Sequence, residues 1–212
     1  MHKRTYDILI ASVLLVLTLP VILFAAVGSA IALRAWPFFV QQRVGLQGRE
    51  FRFVKIRTLP TSTPAYLLKT NLHVEELPPF LRMLRRLHLD ELPQLFLVLT
   101  GRLSLVGPRP EMTVFHDRLD RDFAALRTAV RPGCTGLWQI GFGCTGLIGE
   151  SPEYDRFYLS HRSFRLDLWI LARTALLMLG LNSLVALTDV PEWAADELPT
   201  RAQARPELVE IE

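Results

Sequence analysis

The sequence predicts a membrane-associated α+β protein that is mainly helical, and three observations support this fold class. An uncharged, apolar run covers residues 8–33. Two short aromatic and apolar segments flank Gly45 and Gly48, which is typical of a β-hairpin. From Leu81 onward, apolar residues recur at helical spacing between charged ones. We therefore expect a membrane helix, a small β-hairpin and amphipathic helices that lie at the membrane surface.

The composition agrees with an ordered chain of one domain. Of the 212 residues, 50% are hydrophobic, and the mean hydropathy is +0.25, which excludes a disordered chain. Residues 183–212 hold seven acidic and two basic residues, whereas residues 1–182 carry a net charge of +8. The positive charge of residues 1–182 favours anionic partners, namely lipid headgroups, phosphates or nucleic acid. Cys134 and Cys144 match neither a disulfide framework nor a zinc site, so we expect reduced thiols.

The uncharged run from Ile8 to Leu33 is 26 residues long, and about 20 apolar residues suffice to cross a bilayer as a helix. The run is too long for a signal peptide. Basic residues flank both ends, which favours a cytoplasmic position for both. Pro20 lies near the middle, where it removes a backbone hydrogen bond. These features favour a re-entrant helix hairpin over residues 1–36 that bends at Pro20, although composition alone leaves a kinked spanning helix equally open.

The remaining chain reads as one domain, residues 37–182, followed by an acidic tail, residues 183–212, that we expect to be mobile. Residues 153–181 are apolar but are interrupted by charged side chains, which favours helices on a membrane face. These include Arg156, Arg162, Arg165, Asp167 and Arg173. The other expected elements are a hairpin over residues 38–54, a loop over 60–79, helices over 81–89, 90–100 and 110–130, and a glycine-rich loop over 131–150.

The segment RRLHLDELPQ, residues 85–94, is the most informative for chemistry. Asp90 and Glu91 are adjacent carboxylates at a predicted helix start, where free amides and the helix dipole keep a carboxylate ionised. An ionised Asp90 is a competent nucleophile toward phosphorus, and Glu91 is suited to ligate a metal or to accept a proton. On its own, the segment is explained better by an Asp90 that only caps the helix, with Glu91 stabilising its first turn.

Four cations outside this segment are candidates for binding phosphate. Arg109 stands between two prolines in GPRP, so its backbone is rigid and its guanidinium suits bidentate phosphate recognition. Lys55 and Arg57 close the second predicted strand, and Arg131 opens the loop RPG. The alternative for each is an ordinary exposed cation at a turn or a strand end.

These motifs together identify a family resemblance. The order RTYDIL, QQRVG, FRFVKIRT, RRLHLDELPQL, GRLSLVGPRP, RPGCTGLWQ and YDRFYL over residues 3–180 resembles the bacterial sugar transferase family, the monotopic phosphoglycosyl transferases. The resemblance implies a re-entrant helix in the cytoplasmic leaflet of the bacterial inner membrane, bent at Pro20. It also implies transfer of a sugar 1-phosphate from a nucleotide sugar, with UDP the expected nucleotide, to polyprenyl (undecaprenyl) phosphate, the first step of surface glycan assembly.

The family's catalytic residues are expected at the matching positions of this chain. Asp90 would be the nucleophile that carries a covalent phosphosugar, and Asp90 and Glu91 would hold Mg²⁺. Lys55, Arg85 and Arg109 match the family's phosphate-facing cations. The chain departs from the family pattern at Arg102, at Leu97 and in the loop 140–143. These departures concern the identity of the sugar and the nucleotide.

Two other function classes are alternatives to this interpretation. A catalytically idle relative could serve as a membrane scaffold, but a scaffold needs neither Asp90 and Glu91 nor Arg109. A membrane-proximal nucleic-acid binder would show interleaved aromatic and basic residues, which the sequence lacks, so we expect no nucleic-acid partner. The expected partners are the donor, the acceptor and anionic membrane lipid. The sequence leaves the oligomeric state open, with a homodimer as one alternative.

Overall fold

The computed structural model describes residues 2–64, 77–181 and 183–194. Helix α1 (Lys3–Leu33) leads into an antiparallel hairpin of β1 (Phe38–Val44) and β2 (Glu50–Ile56). The next elements are α2 (Pro79–Arg86), α3 (Gln94–Leu99), β3 (Ser104–Val106), α4 (Thr113–His116) and α5 (Arg121–Thr128). The last are β4 (Gly133–Thr135), α6 (Leu137–Ile140), α7 (Pro152–His161) and α8 (Phe164–Met178). The predicted mainly helical chain with a small β-hairpin is confirmed.

Helix α1 is long and apolar enough to cross a membrane, with a mean hydropathy of 2.9 in its most apolar window. It continues through Pro20 without interruption, so the expected hairpin does not take the form of two separate helices. A proline removes only the hydrogen bond to the carbonyl four residues earlier, here that of Val16, and the neighbouring bonds preserve the helix. No side chain of residues 12–21 is buried.

Both ends of α1 pack against the same domain. Near its start, the Tyr6 hydroxyl donates a hydrogen bond of 2.5 Å to Asp167 Oδ2 on α8. Near its end, the Ser29 hydroxyl donates to the carbonyl oxygen of Arg57, just after β2. Ala25 is buried in a small apolar cluster with side chains of β2 and α2. The middle of the helix, residues 12–21, is the part that the domain covers least.

Two small sheets organise the rest of the domain. In the hairpin, Phe38 pairs with Ile56 and Val44 with Glu50. Strands β3 and β4 form a parallel pair in which Ser104 lies opposite Gly133. The main apolar core surrounds these strands and includes buried side chains of α3, α6, α7 and α8.

The expected helix start at Asp90 is wrong. Asp90 lies in a single 3₁₀ turn (Leu89–Glu91), whereas α3 begins at Gln94 with Pro93 at its N-cap position. Because proline has no amide hydrogen, Pro93 cannot donate the bond that would join the turn to α3.

The single helix expected over residues 110–130 is also wrong, because the segment forms α4 and α5 with a break between them. The Asp120 carboxylate accepts hydrogen bonds of 3.1 Å from the backbone amides of Asp122 and Phe123. A side-chain oxygen at this position starts a new helix.

Residues 183–194, which the sequence assigns to the acidic tail, pack against the domain. Val185 is buried, and its amide donates a hydrogen bond of 2.9 Å to the carbonyl oxygen of Ile140. Val190 and Ala194 are buried in the same core. Burial of these apolar side chains holds the segment against the domain, although the segment is acidic in composition. The other predicted tail residues, 195–212, and loop residues 65–76 lie outside the described part of the chain.

Candidate active site

Asp90 and Glu91 lie on the 3₁₀ turn between α2 and α3. His88, just before the turn, has a left-handed backbone with φ of 52°, which redirects the chain sharply after α2. Only 4% of the Asp90 surface is exposed. The turn therefore holds two adjacent carboxylates in a largely enclosed position, where neighbouring charges act strongly.

The two carboxyl groups differ in their affinity for a proton. Burial, together with the negative charge of Glu91, raises the pKa of Asp90 to about 6, against the opposing effect of Lys55 and Arg85. Burial also works to raise the pKa of Glu91, but the positive charges of Arg109, Lys55 and His88 outweigh it and hold that pKa at about 2. A pair with divergent pKa values is typical of a catalytic site.

Lys55 and Arg85 bring two cations to the dyad from β2 and α2. Burial lowers the pKa of Lys55, and the carboxylates of Glu91 and Asp90 counteract this effect. Arg85, in the last turn of α2, donates a hydrogen bond of 3.0 Å from Nη1 to the hydroxyl of Thr58. Thr58 is buried, so it fixes the Arg85 side chain beside the dyad.

Arg109 comes from the loop after β3, and close backbone packing holds that loop in place. The Gly107 amide donates a hydrogen bond of 2.9 Å to the carbonyl of Thr135, and the Gly133 amide donates one of 2.9 Å to that of Pro108. A Cβ on Gly133 would lie 2.1 Å from the nitrogen of Gly107. Only glycine at position 133 permits this approach, which couples the motifs VGPRP and RPG.

A buried ion pair supports the backbone of Arg109. Arg127 of α5 donates from Nε to Asp155 Oδ2 at 2.7 Å and from Nη2 to the carbonyl oxygen of Arg109 at 2.6 Å. Both Arg127 and Asp155 are buried. The guanidinium thus connects α5 and α7 to the loop that presents Arg109.

The structure brings some predicted residues together and places others elsewhere. Asp90, Glu91, Lys55, Arg85 and Arg109 form one cluster, according to the charges that act on the two carboxyl groups. In contrast, Arg57 donates from Nε to the carbonyl of Trp36 at 3.1 Å. Arg131 donates from Nε to the carbonyl of Gly101 at 3.0 Å and lines a different cavity.

Sequence reasoning assigned no role to several residues that shape the site. His88 and the buried Gln94 lie beside Glu91, within the motif that drew attention to the dyad. Thr58 follows the KIR segment directly. The residues next to Arg127 and Asp155 along the chain gave no indication of a role for them, because each side chain contacts a partner that is distant in the sequence.

This arrangement is suited to chemistry on a phosphate. Three cations, Lys55, Arg85 and Arg109, are suited to neutralise the charge of a phosphate group, and the enclosed carboxylates are suited to act as a nucleophile and a base. Within residues 2–64, 77–181 and 183–194, no group of three or more His, Cys, Asp or Glu side chains is arranged to hold a metal ion. The dyad offers two carboxylates to a metal.

Comparison with known proteins decides the family. The model of the family described as bacterial sugar transferase matches residues 1–180. The chain belongs to the bacterial sugar transferase family.

Relatives within the bacterial sugar transferase family share about a third of the sequence. A UDP-N-acetylgalactosamine-undecaprenyl-phosphate N-acetylgalactosaminephosphotransferase of Aeromonas hydrophila is 34% identical, over 81% of this chain and 42% of that protein. A UDP-glucose:undecaprenyl-phosphate glucose-1-phosphate transferase of Xanthomonas campestris is 34% identical, over 84% of this chain and 39% of that protein. The chain thus spans well under half the length of these two relatives. An uncharacterized sugar transferase of Bacillus subtilis, EpsL, is 39% identical, over 81% of this chain and 84% of that protein.

Proposed function

We propose that the protein is a membrane phosphoglycosyl transferase that moves a sugar 1-phosphate from a UDP-sugar to undecaprenyl phosphate. The observation that carries the proposal is the enclosed Asp90–Glu91 dyad, surrounded by Lys55, Arg85 and Arg109. Two relatives are named for this type of transfer. Relatives from rhizobia are named exopolysaccharide production proteins, which favours surface glycan assembly as the purpose of the reaction.

In the first half-reaction, a carboxylate oxygen of Asp90 attacks the phosphorus that bears the sugar. The bond from that phosphorus to the bridging oxygen of the diphosphate breaks, and uridine monophosphate leaves with the electron pair. The product is an acyl phosphate that links Asp90 to the sugar. Adjacent cations favour this step, because displacement at phosphorus depends mainly on positioning and on neutralisation of charge.

In the second half-reaction, a phosphate oxygen of undecaprenyl phosphate attacks the same phosphorus. The bond to Asp90 breaks, the carboxylate is regenerated, and the undecaprenyl diphosphosugar leaves. Glu91, whose pKa is held near 2 by Arg109 and Lys55 against the effect of burial, stays ionised and is suited to stabilise positive charge beside the reacting phosphate. A two-step route needs one enclosed nucleophile that both substrates reach in turn.

Mg²⁺ fits the residues present. This ion is usually bound by one or two carboxylates together with substrate phosphates, and Asp90 and Glu91 supply such a pair. Bound there, Mg²⁺ would neutralise charge on the diphosphate. The chain's own contribution is the set of cations: Arg109 is positioned to hold the phosphates through a bidentate contact, and Lys55 and Arg85 place charge next to Asp90.

We also propose that α1 is re-entrant and that the domain lies on the cytoplasmic face of the inner membrane. The support comes from the contacts at the two ends of α1, Tyr6 with Asp167 and Ser29 with the backbone of Arg57, which belong to the same domain. A helix that spanned the bilayer would place its ends on opposite sides. The basic residues at both flanks favour the cytoplasmic side.

A nucleotide-release assay tests this function. Detergent-solubilised protein would be mixed with Mg²⁺, undecaprenyl phosphate and, in separate reactions, UDP-glucose, UDP-N-acetylgalactosamine and other UDP-sugars. We expect release of uridine monophosphate with at least one donor, dependent on Mg²⁺. Failure with every nucleotide sugar would contradict the proposal and favour the scaffold alternative.

A further inference from the structure

A second basic cavity lies apart from the dyad. It has a volume of about 240 Å³, and its lining includes Lys3, Arg4, Asp7, Arg131, Tyr158 and Arg162. None of the residues of the Asp90 cluster lines it. A single water molecule needs only about 10–15 Å³ by this measure, so the cavity has ample room for a phosphate group.

The lining brings four cations together with one carboxylate. Arg4 and Arg131 approach each other through Gly101: Arg131 Nε donates to the Gly101 carbonyl, and a Cβ on Gly101 would lie 3.4 Å from Arg4 Nη2. Like charges that line one cavity repel one another. A bound anion would relieve the repulsion.

The four cations that line the cavity differ in their protein partners. Lys3 pairs with Asp167, and Arg4 donates to the carbonyls of Val98 and Leu99 at 2.6 and 3.0 Å, so the two cations from α1 already have partners within the protein. In contrast, neither Arg131 nor Arg162 pairs with a carboxylate anywhere in residues 2–64, 77–181 and 183–194. These two guanidinium groups are the ones available to an external anion.

The cavity is also close to the apolar surface of the protein. Lys3 and Arg4 form the first turn of α1, and Arg162 lies between α7 and α8. The Tyr6 ring meets the ring of the half-exposed Phe164 edge to face at a centroid distance of 4.9 Å. The cavity is thus lined by the start of the membrane helix and by the turn between α7 and α8.

We propose that this cavity is a second anion site that binds a phosphate group through Arg131 and Arg162, with Lys3 and Arg4 adding positive charge. Paired guanidinium groups provide the forked donors that phosphate oxygens accept. The inference rests on the cavity and its cations, and it does not depend on the proposed transfer reaction. It assigns Arg131 to this site and not to the Asp90 cluster. The phosphate could belong to a lipid headgroup or to a soluble molecule, and the experiment separates these sources.

Arginine footprinting on the full chain in detergent tests the proposal. Modification by phenylglyoxal would be measured at each arginine by mass spectrometry during titration with inorganic phosphate, glycerol phosphate or dihexanoyl phosphatidylglycerol. We expect Arg131 and Arg162 to be protected with the same midpoint, while the exposed Arg165 stays reactive. Protection by all three probes would identify a general phosphate site. Protection by the lipid alone would identify a headgroup site.

Matched variants decide whether the two arginines act together. Arg131→Gln should raise the midpoint for protection of Arg162 at least tenfold, whereas Arg165→Gln, which removes the same charge nearby, should leave it unchanged. Arg109→Gln, in the other cluster, should also leave it unchanged, which separates this site from phosphate bound at the dyad. An unchanged midpoint in Arg131→Gln, or no protection of Arg131 and Arg162 by any probe, would overturn the proposal.

Discussion

The Nη2 atom of Arg127 donates a hydrogen bond of 2.6 Å to the backbone carbonyl oxygen of Arg109. Arg127 is itself held by Asp155 at 2.7 Å in a buried ion pair. The loop that presents Arg109 therefore rests on two side chains that bond to each other and to the loop, and not to the dyad. The position of the Arg109 charge at the candidate site therefore depends on the packing of α5 against α7.

Replacement of Arg127 should impair both stability and donor use. Arg127→Gln leaves the Asp155 carboxylate buried without its partner, which typically costs about 3–5 kcal/mol of unfolding free energy. It also releases the Arg109 loop, so KM for the donor should rise. Thermal unfolding and steady-state kinetics would measure the two effects. Arg121→Gln removes an exposed arginine from the same helix and serves as the control. If KM for the donor is unchanged in Arg127→Gln, the positioning role is wrong.

Arg109→Lys should weaken use of the donor without affecting membrane association. Lysine keeps the charge but lacks the forked donors of a guanidinium. Loss of one hydrogen bond to a charged group costs about 1.5–3 kcal/mol, or roughly ten- to hundredfold in kcat/KM. Nucleotide release gives kcat/KM, and flotation with liposomes gives membrane binding. Wild-type kcat/KM in this variant would exclude a phosphate contact by Arg109.

Cysteine labelling tests the topology of α1. His2 and Arg34 flank the helix and are exposed, so His2→Cys and Arg34→Cys would be made singly in a background with Cys134 and Cys144 replaced by alanine. We expect an impermeant maleimide to label both positions in inside-out vesicles and neither in intact spheroplasts. Labelling of position 2 from outside would contradict the re-entrant proposal.

Pro20→Leu should raise the fraction of molecules whose α1 spans the membrane. Leucine restores the backbone donor that Pro20 lacks, so a straighter helix becomes more favourable. The contacts of Tyr6 with Asp167 and of Ser29 with Arg57 oppose this change. Labelling of His2→Cys from outside, compared with and without Pro20→Leu, measures the fraction. No increase would show that these contacts, and not Pro20, set the topology.

Helix α8 should lie at the membrane surface. Its exposed apolar residues include Leu168, which is 51% exposed, while Leu166 and Ile170 face the core. A two-sided helix of this type binds in the interface between headgroups and acyl chains. A fluorophore on Leu168→Cys should be quenched by doxyl lipids, and the same label on Arg121→Cys of α5 should not. Equal, weak quenching at both positions would show that α8 is not a membrane contact.

The hairpin and the dyad were predictable because their signals are local. Alternating apolar residues around Gly45 and Gly48 define two strands in the sequence itself. Asp90 and Glu91 stand in a motif whose residue types already point to phosphate chemistry. The exact start of α3 was not predictable from capping preferences, since Pro93 separates the 3₁₀ turn from the helix.

The roles of the arginines were less predictable because they depend on partners far apart in the chain. Arg127 meets a carboxylate 28 residues away and a carbonyl 18 residues away. In the sequence, Arg131 resembled a residue that binds the phosphates of the nucleotide sugar. Its Nε nevertheless donates a hydrogen bond to the carbonyl of Gly101, and its side chain lines the second cavity. Similarly, the buried Val185 lies in a segment whose acidic composition predicted a mobile tail.

The central claim is that Asp90 carries a covalent phosphosugar, and intact-protein and peptide mass spectrometry tests it most directly. Protein would be incubated with Mg²⁺ and a UDP-sugar that supports turnover, without acceptor. We expect a sugar phosphate on the peptide that contains Asp90, its loss when undecaprenyl phosphate is added, and its absence in Asp90→Asn, which keeps the side-chain size. Robust turnover by Asp90→Asn, or an adduct on another residue, would contradict the proposed role of Asp90 as the nucleophile.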